Sequence, residues 1–594
     1  MSERPIREEL VEPLRRALGW LLSLRDARGA ILCPEHKIEH TGKSAGAAVL
    51  AARLAKYDAP ERRQAHLAAA IEQGRRLVAN LYREGLSECH TFWPGRHDKF
   101  NSSNAVIDGG ACSDALAELV ETLGPELSDD DRKAFANAST LHARTYLRYA
   151  VLDKGVPAQR AWGLTGLAAA WRLSREPELE KAAIEAVGAL EGVQNADGSF
   201  PYHPLEWGAP HVGAGDASSF YHSRIPAFAM FALERLERDA RDPLFAKSIY
   251  SALDFAEALQ GPDGVKCGLV EAKPWYWGAE YEVASHVFDV YAFARAGEVF
   301  RERRFTVAAV RAYRAWIEHL APNGEPRSHM PGPGLRKSYQ CPVFWACHAE
   351  WIARALPWLE ASWDSVPKYE RVGSGGGIDL RIRAYGAVDL VRVEDDRVVA
   401  WVRGSRPGYN VHHGSPHGAG LLRVVRKSDG AKLLTRERLS AHQEGEWSGR
   451  FGSLSPARGW SACAGELRFS VWLARNHARG GRWRSALGAP FDVARRGGVE
   501  FASSEVSSAF ALHSTTRIDG EGVSLTSELA HRGGQPVPGS RLERRFEVDG
   551  SGLIVRERLI QSGGARGIAF RFPAGAADRH EEPGASHAVS YRLA

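Results

Sequence analysis

The sequence is poor in the devices that staple, anchor or export a chain. Its 594 residues include only seven cysteines, Cys33, Cys89, Cys112, Cys267, Cys341, Cys347 and Cys463. The number is odd, the spacings are irregular and no CxxC occurs, which argues against a disulfide framework or a thiolate zinc site. No stretch of about eighteen apolar residues is present, so no membrane partner is expected. The opening MSERPIREELVEPLRR is charged and has no apolar core, so no export signal is expected and the chain reads as cytoplasmic. Basic residues never run to five, and the net charge is only +5, so a nucleic-acid partner is not expected either.

What is there suffices for two large domains. Hydrophobic residues make up 44% and charged residues 25%, ordinary values for a chain that buries its own core. Up to about residue 365, Ala, Leu, Arg and Glu recur with apolar spacings of three and four, as in LAAAIEQGRRLVANLY and AAIEAVGALEGV. From about 378 the pattern becomes alternating and Val-rich. IDLRIRAYGAVDLVRVEDDRVVAWVRG turns at Asp395-Asp396, and SRLERRFEVDGSGLIVRERLI turns at Asp549-Gly550. The Gly/Ser-rich stretch 372–377 is the expected joint between domains 1–371 and 378–594.

The helical half repeats. An apolar helix end followed by a polar turn recurs near residues 20, 76, 145, 190, 255 and 316, as in LEGVQNADGSF, FAEALQGPDGV and WIEHLAPNGEP. The glycine in such turns supplies the left-handed residue that ends a helix. Intervals of about 45 to 70 residues fit a helical hairpin plus its loops, so about twelve helices are expected. The expected fold is an N-terminal (α/α)6-type toroid of helical hairpins followed by a C-terminal antiparallel β-sandwich. An open helical solenoid is the alternative.

Four long connections collect aromatic, histidine and charged residues. The first is HTFWPGRHDKFNSSNAVIDGG, with Asn101, Asn104 and Asp108. The second is DGSFPYHPLEWGAPHVGAGDASSFYHSR, with Tyr202, His203, Trp207, Asp216, Tyr221, His222 and Arg224. The third, KPWYWGAEYEVASH, carries Tyr276, Trp277, Glu280, Tyr281 and His286, and the fourth, PRSHMPGPGLRKSYQCPVFW, carries Tyr339. Sugar rings stack their apolar faces on aromatics and need polar side chains for their hydroxyls, so loops that mix the two suit a glycan cleft. Single aromatics of this kind also wedge helices apart in any large helical domain.

The segments DGSFPYHP and SSFYHSRIPAFAMFALERL resemble the heparinase II/III-like polysaccharide lyases, and GYNVHHGSPHGAGLLRVVRKSDG resembles that family's histidine-rich strand entry. The resemblance implies a toroid followed by a sandwich, and cleavage of an acidic, uronate-containing poly- or oligosaccharide by β-elimination. It implies Tyr221 and His222 as a catalytic pair, with His413 and His417 reaching into the cleft from the sandwich. Where the family carries an asparagine that neutralises the substrate carboxylate, this chain reads PAQRAWGL, so Gln159 or Arg160, or Asn101 or Asn104 from another hairpin, would serve.

The chemistry is consistent. A proton beside a carboxylate becomes removable only when the carboxylate charge is neutralised, and a tyrosine or histidine then moves it. The catalytic candidates are Tyr221, His222, Tyr276, Tyr281 and His417. The substrate-binding candidates are Asn104, Arg160, Trp207, Arg224, Trp277, Glu280, His286, Tyr339 and His413. A toroid glycoside hydrolase would instead need two separated carboxylates, drawn from Asp98, Asp108, Asp216, Glu280 and Glu282. A glycan-binding relative without catalysis is the third reading. No cofactor is expected: Glu35, His36 and His40, or His412, His413 and His417, lack the tight spacing of a zinc signature.

Overall fold

The structure is a computed structural model. It describes residues 7–34, 39, 41–81, 103–153, 155–209, 215–269, 285–326, 342–369, 380–406, 418–436, 442–452, 504–531, 534–561, 565–582 and 586–594, with scattered positions in 471–487. Of the site candidates, Tyr276, Trp277, Glu280, Tyr281, Tyr339, His413 and His417 lie outside the described residues, as do the side chain of Asn104 and the stretch 372–377 expected to join the domains.

Helices α1 (Glu8–Ser23), α3 (Pro60–Ala79), α5 (Asp129–His142), α6 (Arg148–Asp153), α8 (Pro177–Glu191), α11 (Ala246–Leu259) and α13 (Arg303–Glu318) form an outer layer. The inner layer is α2 (Thr41–Leu54), α4 (Ser103–Leu123), α7 (Pro157–Ser174), α10 (Arg224–Arg235), α12 (His286–Phe300) and α15 (Glu350–Ser362). The short α9 (Ser219–His222) and α14 (Pro342–Cys347) precede α10 and α15. Each inner helix packs on the next, and α15 returns to α2, so the ring is closed rather than an open solenoid. Alanine and glycine make the close inner contacts possible. A Cβ on Gly110 would strike the Trp162 carbonyl, and one on Gly166 the Gly110 carbonyl, where α4 crosses α7.

Four of the recurring turns share one design. Asp26, Asn195, Gly261 and Ala321 each donate a backbone N–H to the carbonyl four residues on, at 2.8–3.0 Å. The glycine inside each turn, Gly29, Gly198, Gly264 or Gly324, has φ between +78° and +86°. A Cβ on Gly198, Gly264 or Gly324 would overlap a backbone carbonyl of the following outer helix: Ser251 of α11, Arg311 of α13 and, closing the ring, Arg16 of α1. The repeats near 76 and 145 are built differently. Helix α3 ends on Asn80, whose N–H reaches Arg76 and Leu77, and Ala143–Leu147 is a π-helical turn. Gly324→Ala is expected to cost about 1–3 kcal/mol through the left-handed backbone and the overlap. Gly188→Ala in α8, where nothing lies within 4 Å, is expected to be neutral or slightly stabilising in the same thermal-unfolding measurement.

The C-terminal half is antiparallel throughout its described strands. β1 (Arg381–Tyr385), β2 (Leu390–Glu394), β3 (Val398–Arg403), β4 (Gly420–Arg426) and β5 (Lys432–Thr435) form a five-stranded meander. β6 (Glu446–Phe451), β7 (Glu505–Ser507), β10 (Ala530–His531) and β13 (Ala565–Arg571) form a second sheet, in the order β10-β7-β6-β13. β8 (Ser514–Ile518), β9 (Gly522–Ser527), β11 (Ser540–Val548), β12 (Leu553–Gln561), β14 (Ala577–Glu582) and β15 (Ser586–Leu593) form the third, ordered β14-β15-β12-β11-β9-β8.

The meander is a middle layer. One face packs Val393, Val402 and Val424 against Phe546, Val555 and Tyr591 of the six-stranded sheet. The other packs Tyr385, Leu390, Trp401 and Leu422 against Phe255, Leu259 and Leu269 of the toroid. β2 and β3 are consequently buried on both faces, although their sequences read as one-sided hairpin strands. The toroid turns are docking points as well. Asp197 accepts the Ala387 N–H at 2.8 Å, Asp263 pairs with Arg423, and Trp401 Nε1 donates to the Ala258 carbonyl at 2.8 Å.

Candidate functional site

The connection from α8 to the inner helix α10 is long and is described except at 210–214. Tyr221 lies at its end, in α9 just before α10. Ser218 caps its helical turn, accepting the Tyr221 N–H at 3.4 Å, and Leu269 accepts the Ser219 N–H at 2.8 Å. The Tyr221 side chain is half-buried, while its neighbours Phe220 and His222 are buried. Its ring centroid lies 4.8 Å from that of Tyr202. The Arg224 guanidinium sits 4.7 Å from the Tyr221 ring and 4.2 Å from Phe220, with Trp162, Phe288 and Phe344 at 5.3 Å. Cation–π contacts on so many sides hold the charge of a nearly buried arginine in place.

Arg160 lies on the neighbouring helix α7. Its guanidinium stacks 3.5 Å from the Trp207 ring, and burial pulls its pKa down to about 10, partly opposed by Asp153. It is still cationic at neutral pH. Gly155 leaves room for His203 Nε2, which a Cβ there would strike, and burial lowers the His203 pKa. The structure therefore brings together Tyr221 with Arg224, and Arg160 with Trp207, along the connection that carries Tyr202 and His203.

Two histidine expectations are corrected. His222 turns into the core, 1% exposed, between Phe200 and Phe255, and its Nε2 meets the Ala252 carbonyl at 2.9 Å. It fastens α9 to α11. His286, in the first turn of α12, is fully buried, with no hydrogen-bond partner on either ring nitrogen among the described residues. Adjacency in sequence to a reactive tyrosine says nothing about facing, because neighbours on a helical turn diverge by about 100°.

The buried state of His222 has a consequence for stability. Burial pushes its pKa down to about 4, against the help of the Ala252 carbonyl. The unfolded chain protonates this ring near 6.5, before the folded chain does. Stability is unaffected above that value and falls between about pH 6.5 and 4, by up to roughly 3 kcal/mol. Thermal unfolding of His222→Gln across this range is expected to lose that part of the acid sensitivity.

Sequence reading missed a lysine. Lys266 Nζ, 1% exposed, pairs with Asp289 of α12 at 2.8 Å, donates to the Ser219 carbonyl at 3.1 Å and Ser285 Oγ at 2.6 Å, and also reaches Ser223 Oγ. It clasps both ends of the turn that carries Tyr221. Burial raises the Asp289 pKa, and Lys266 opposes the rise. The available signal was a lone lysine between Val265 and Cys267, directly after a glycine turn. A second unforeseen pair is Asp216 with Arg403 of β3, at 2.5 Å, with both side chains buried. Asp216 is thereby engaged in docking the sandwich and is not free to activate water; Asp98, Glu280 and Glu282 lie outside the described residues. Cys33, Cys112, Cys267 and Cys347 are buried. No described helix is long and apolar enough to cross a membrane.

No family model matches the chain, and no curated protein matches it. Solved structures do. A mutant of the chondroitin AC lyase from Streptomyces coelicolor A3 aligns with 98% of this chain and 70% of its own, at 15% identity and a TM-score of 0.50. A glycosyl hydrolase family 88 protein from Bacteroides vulgatus aligns with 59% of this chain and 99% of its own, at 12% identity and a TM-score of 0.42. The cellobiose 2-epimerase from Spirochaeta thermophila DSM 6192 aligns with 59% and 96%, at 14% identity and 0.41. The full-length likeness is one of fold: a helical toroid followed by antiparallel β-sheets.

Proposed function

We propose that the protein is a carbon–oxygen lyase that cleaves an acidic, uronate-containing poly- or oligosaccharide by β-elimination. The observation that supports this most is the half-exposed Tyr221 beside Arg224, with the Arg160–Trp207 stack on the adjacent inner helix. In this reading Arg160 and Arg224 offset the substrate carboxylate, which makes the proton on the adjoining carbon removable. The C–H electron pair becomes the new C=C bond, the bond to the glycosidic oxygen breaks, and that oxygen takes up a proton. Tyr221 is the proton-transfer group, and Trp207 and Tyr202 offer aromatic faces to sugar rings. His222 and Lys266 are positioning residues. Tyr276, Tyr281 and His417 are assigned to catalysis, and Asn104, Trp277, Glu280, Tyr339 and His413 to substrate binding, on the sequence alone. Arg403 engages Asp216, which removes one carboxylate from the set that a hydrolase would draw on.

The test is a panel of glycuronans read by the ultraviolet absorbance of an unsaturated uronate. Its appearance with turnover supports elimination. New reducing ends without it would replace the lyase with a hydrolase, and binding without either product would leave a glycan-binding protein. The same reading divides the chain into domains 1–371 and 378–594, and limited proteolysis within 372–377 checks that division.

A further inference from the structure

The six-stranded sheet turns its outer face away from the meander, and that face is a trough of about 1110 Å³. Antiparallel register aligns its outward side chains in rows across the strands. One row runs the full width of the sheet: Arg517, Ser524, Arg545, Arg556, Ser590 and His580. Every member is basic or a hydroxyl. The flanking row carries Thr515, Thr526, Glu543, Arg558, Ala588 and Glu582. At about 4.8 Å between strands, the row spans about 24 Å, with Arg517 to Arg545 and Arg556 to His580 each roughly 10 Å apart.

Arg545 and Arg556 face each other directly, an arrangement that is unfavourable unless a counter-charge is supplied. Glu547 is shared between them, and Asp519 also holds Arg545. Arg517 and the flanking Arg558 have no carboxylate partner among the described residues, and Arg517, Arg556 and Arg558 are exposed. His580 meets Glu582 at 3.2 Å.

We infer that this row is a second binding site, separate from the Tyr221 face, for a single linear anionic glycan lying crosswise to the strands. The lining decides the partner's chemistry. No Trp, Tyr or Phe lines the trough among the described residues, so it offers neither the stacking platform of a neutral-sugar site nor the base-stacking platform of single-stranded nucleic acid. The carboxylates of Glu543 and Glu582 beside the row repel a broad anionic surface such as a bilayer or a duplex. A narrow chain bearing spaced carboxylates or sulfates meets the row and avoids the flank. Arginine suits this because its fork binds such groups bidentately. The inference rests on this surface and not on the elimination chemistry.

The experiment uses the full chain and fluorescence anisotropy with end-labelled heparin and polygalacturonate oligosaccharides, a neutral dextran and a twenty-residue oligo-dT. Wild-type protein is expected to bind at least one of the two anionic glycans, more tightly at low salt. Arg517→Ser/Arg556→Ser is expected to weaken that binding at least tenfold. Arg62→Ser/Arg63→Ser, an equal charge loss on the outer helix α3, is expected to leave it unchanged. The inference is overturned if the double variant binds as well as wild type, if the control variant loses as much, or if dextran or oligo-dT binds as tightly as the glycans. Binding is read without turnover, so failure of the lyase assignment leaves this outcome intact, and the reverse also holds.

Discussion

Tyr221→Phe is expected to lower turnover at least about a hundredfold, the usual worth of positioned proton transfer, while the protein folds and melts as before. The substitution removes one hydroxyl and almost no volume. The ring keeps its contacts with Tyr202 and Phe220, and the Ser218 cap is made to the backbone, so α9 is untouched. The measurement is steady-state kinetics on the substrate found in the glycuronan panel, with circular dichroism as the folding control. A fall in kcat with little change in KM is the expected signature of the proposed role, in which the phenol acts at the reacting bond. Normal turnover would remove Tyr221 from the chemistry and with it the elimination assignment.

Arg403→Met is expected to be strongly destabilising. Arg403 donates to the Val388 carbonyl at 3.1 Å and to Asp216 at 2.5 Å, and both charges are buried. Removing one partner strands the other charge, at a cost of about 3–5 kcal/mol. Asp216 also accepts the Tyr202 N–H through its backbone carbonyl at 2.9 Å and sits two residues before the Ser218 cap. The loss should therefore reach the site as well as the domain interface. A chemical denaturation series would show reduced stability, and the folded fraction would show reduced kcat. Asp216→Asn/Arg403→Met should recover much of the stability, since no charge is left unpaired. If the double variant were as unstable as the single one, the pair would matter only for packing.

Periodic features were legible in the sequence, and features made by distant pairing were not. The Asx/Gly turns at Gly198, Gly264 and Gly324 were readable because one residue type meets a local backbone demand. The turns near 76 and 145 use an asparagine cap and a π-helical turn, which leave no glycine signature. Asp216 and Arg403 are 187 residues apart, and no spacing rule connects them. Lys266 and Asp289 lie on opposite sides of a long connection, and their partnership exists only once the ring has formed. His222 shows the converse. A motif placed it beside Tyr221, yet whether it faces substrate or core depends on Phe200, earlier in the same connection, and on Phe255 of α11.

The seam where the ring closes also sets an order of events during synthesis. Gly324 rests on Arg16, Tyr313 donates its hydroxyl proton to the Leu10 carbonyl at 2.5 Å, and Arg7 pairs with Glu360 at 3.1 Å. The first helix leaves the ribosome some three hundred residues before these partners do. Until then the apolar face of α1, including Leu10, Leu14 and Leu18, lacks much of its final cover, which is the condition that invites aggregation or a holding chaperone. Chains released before α13 and α15 are complete cannot close the ring. Nascent chains of increasing length should accordingly stay protease-sensitive at α1 until the segment through residue 362 has emerged, whatever the state of the hairpins between.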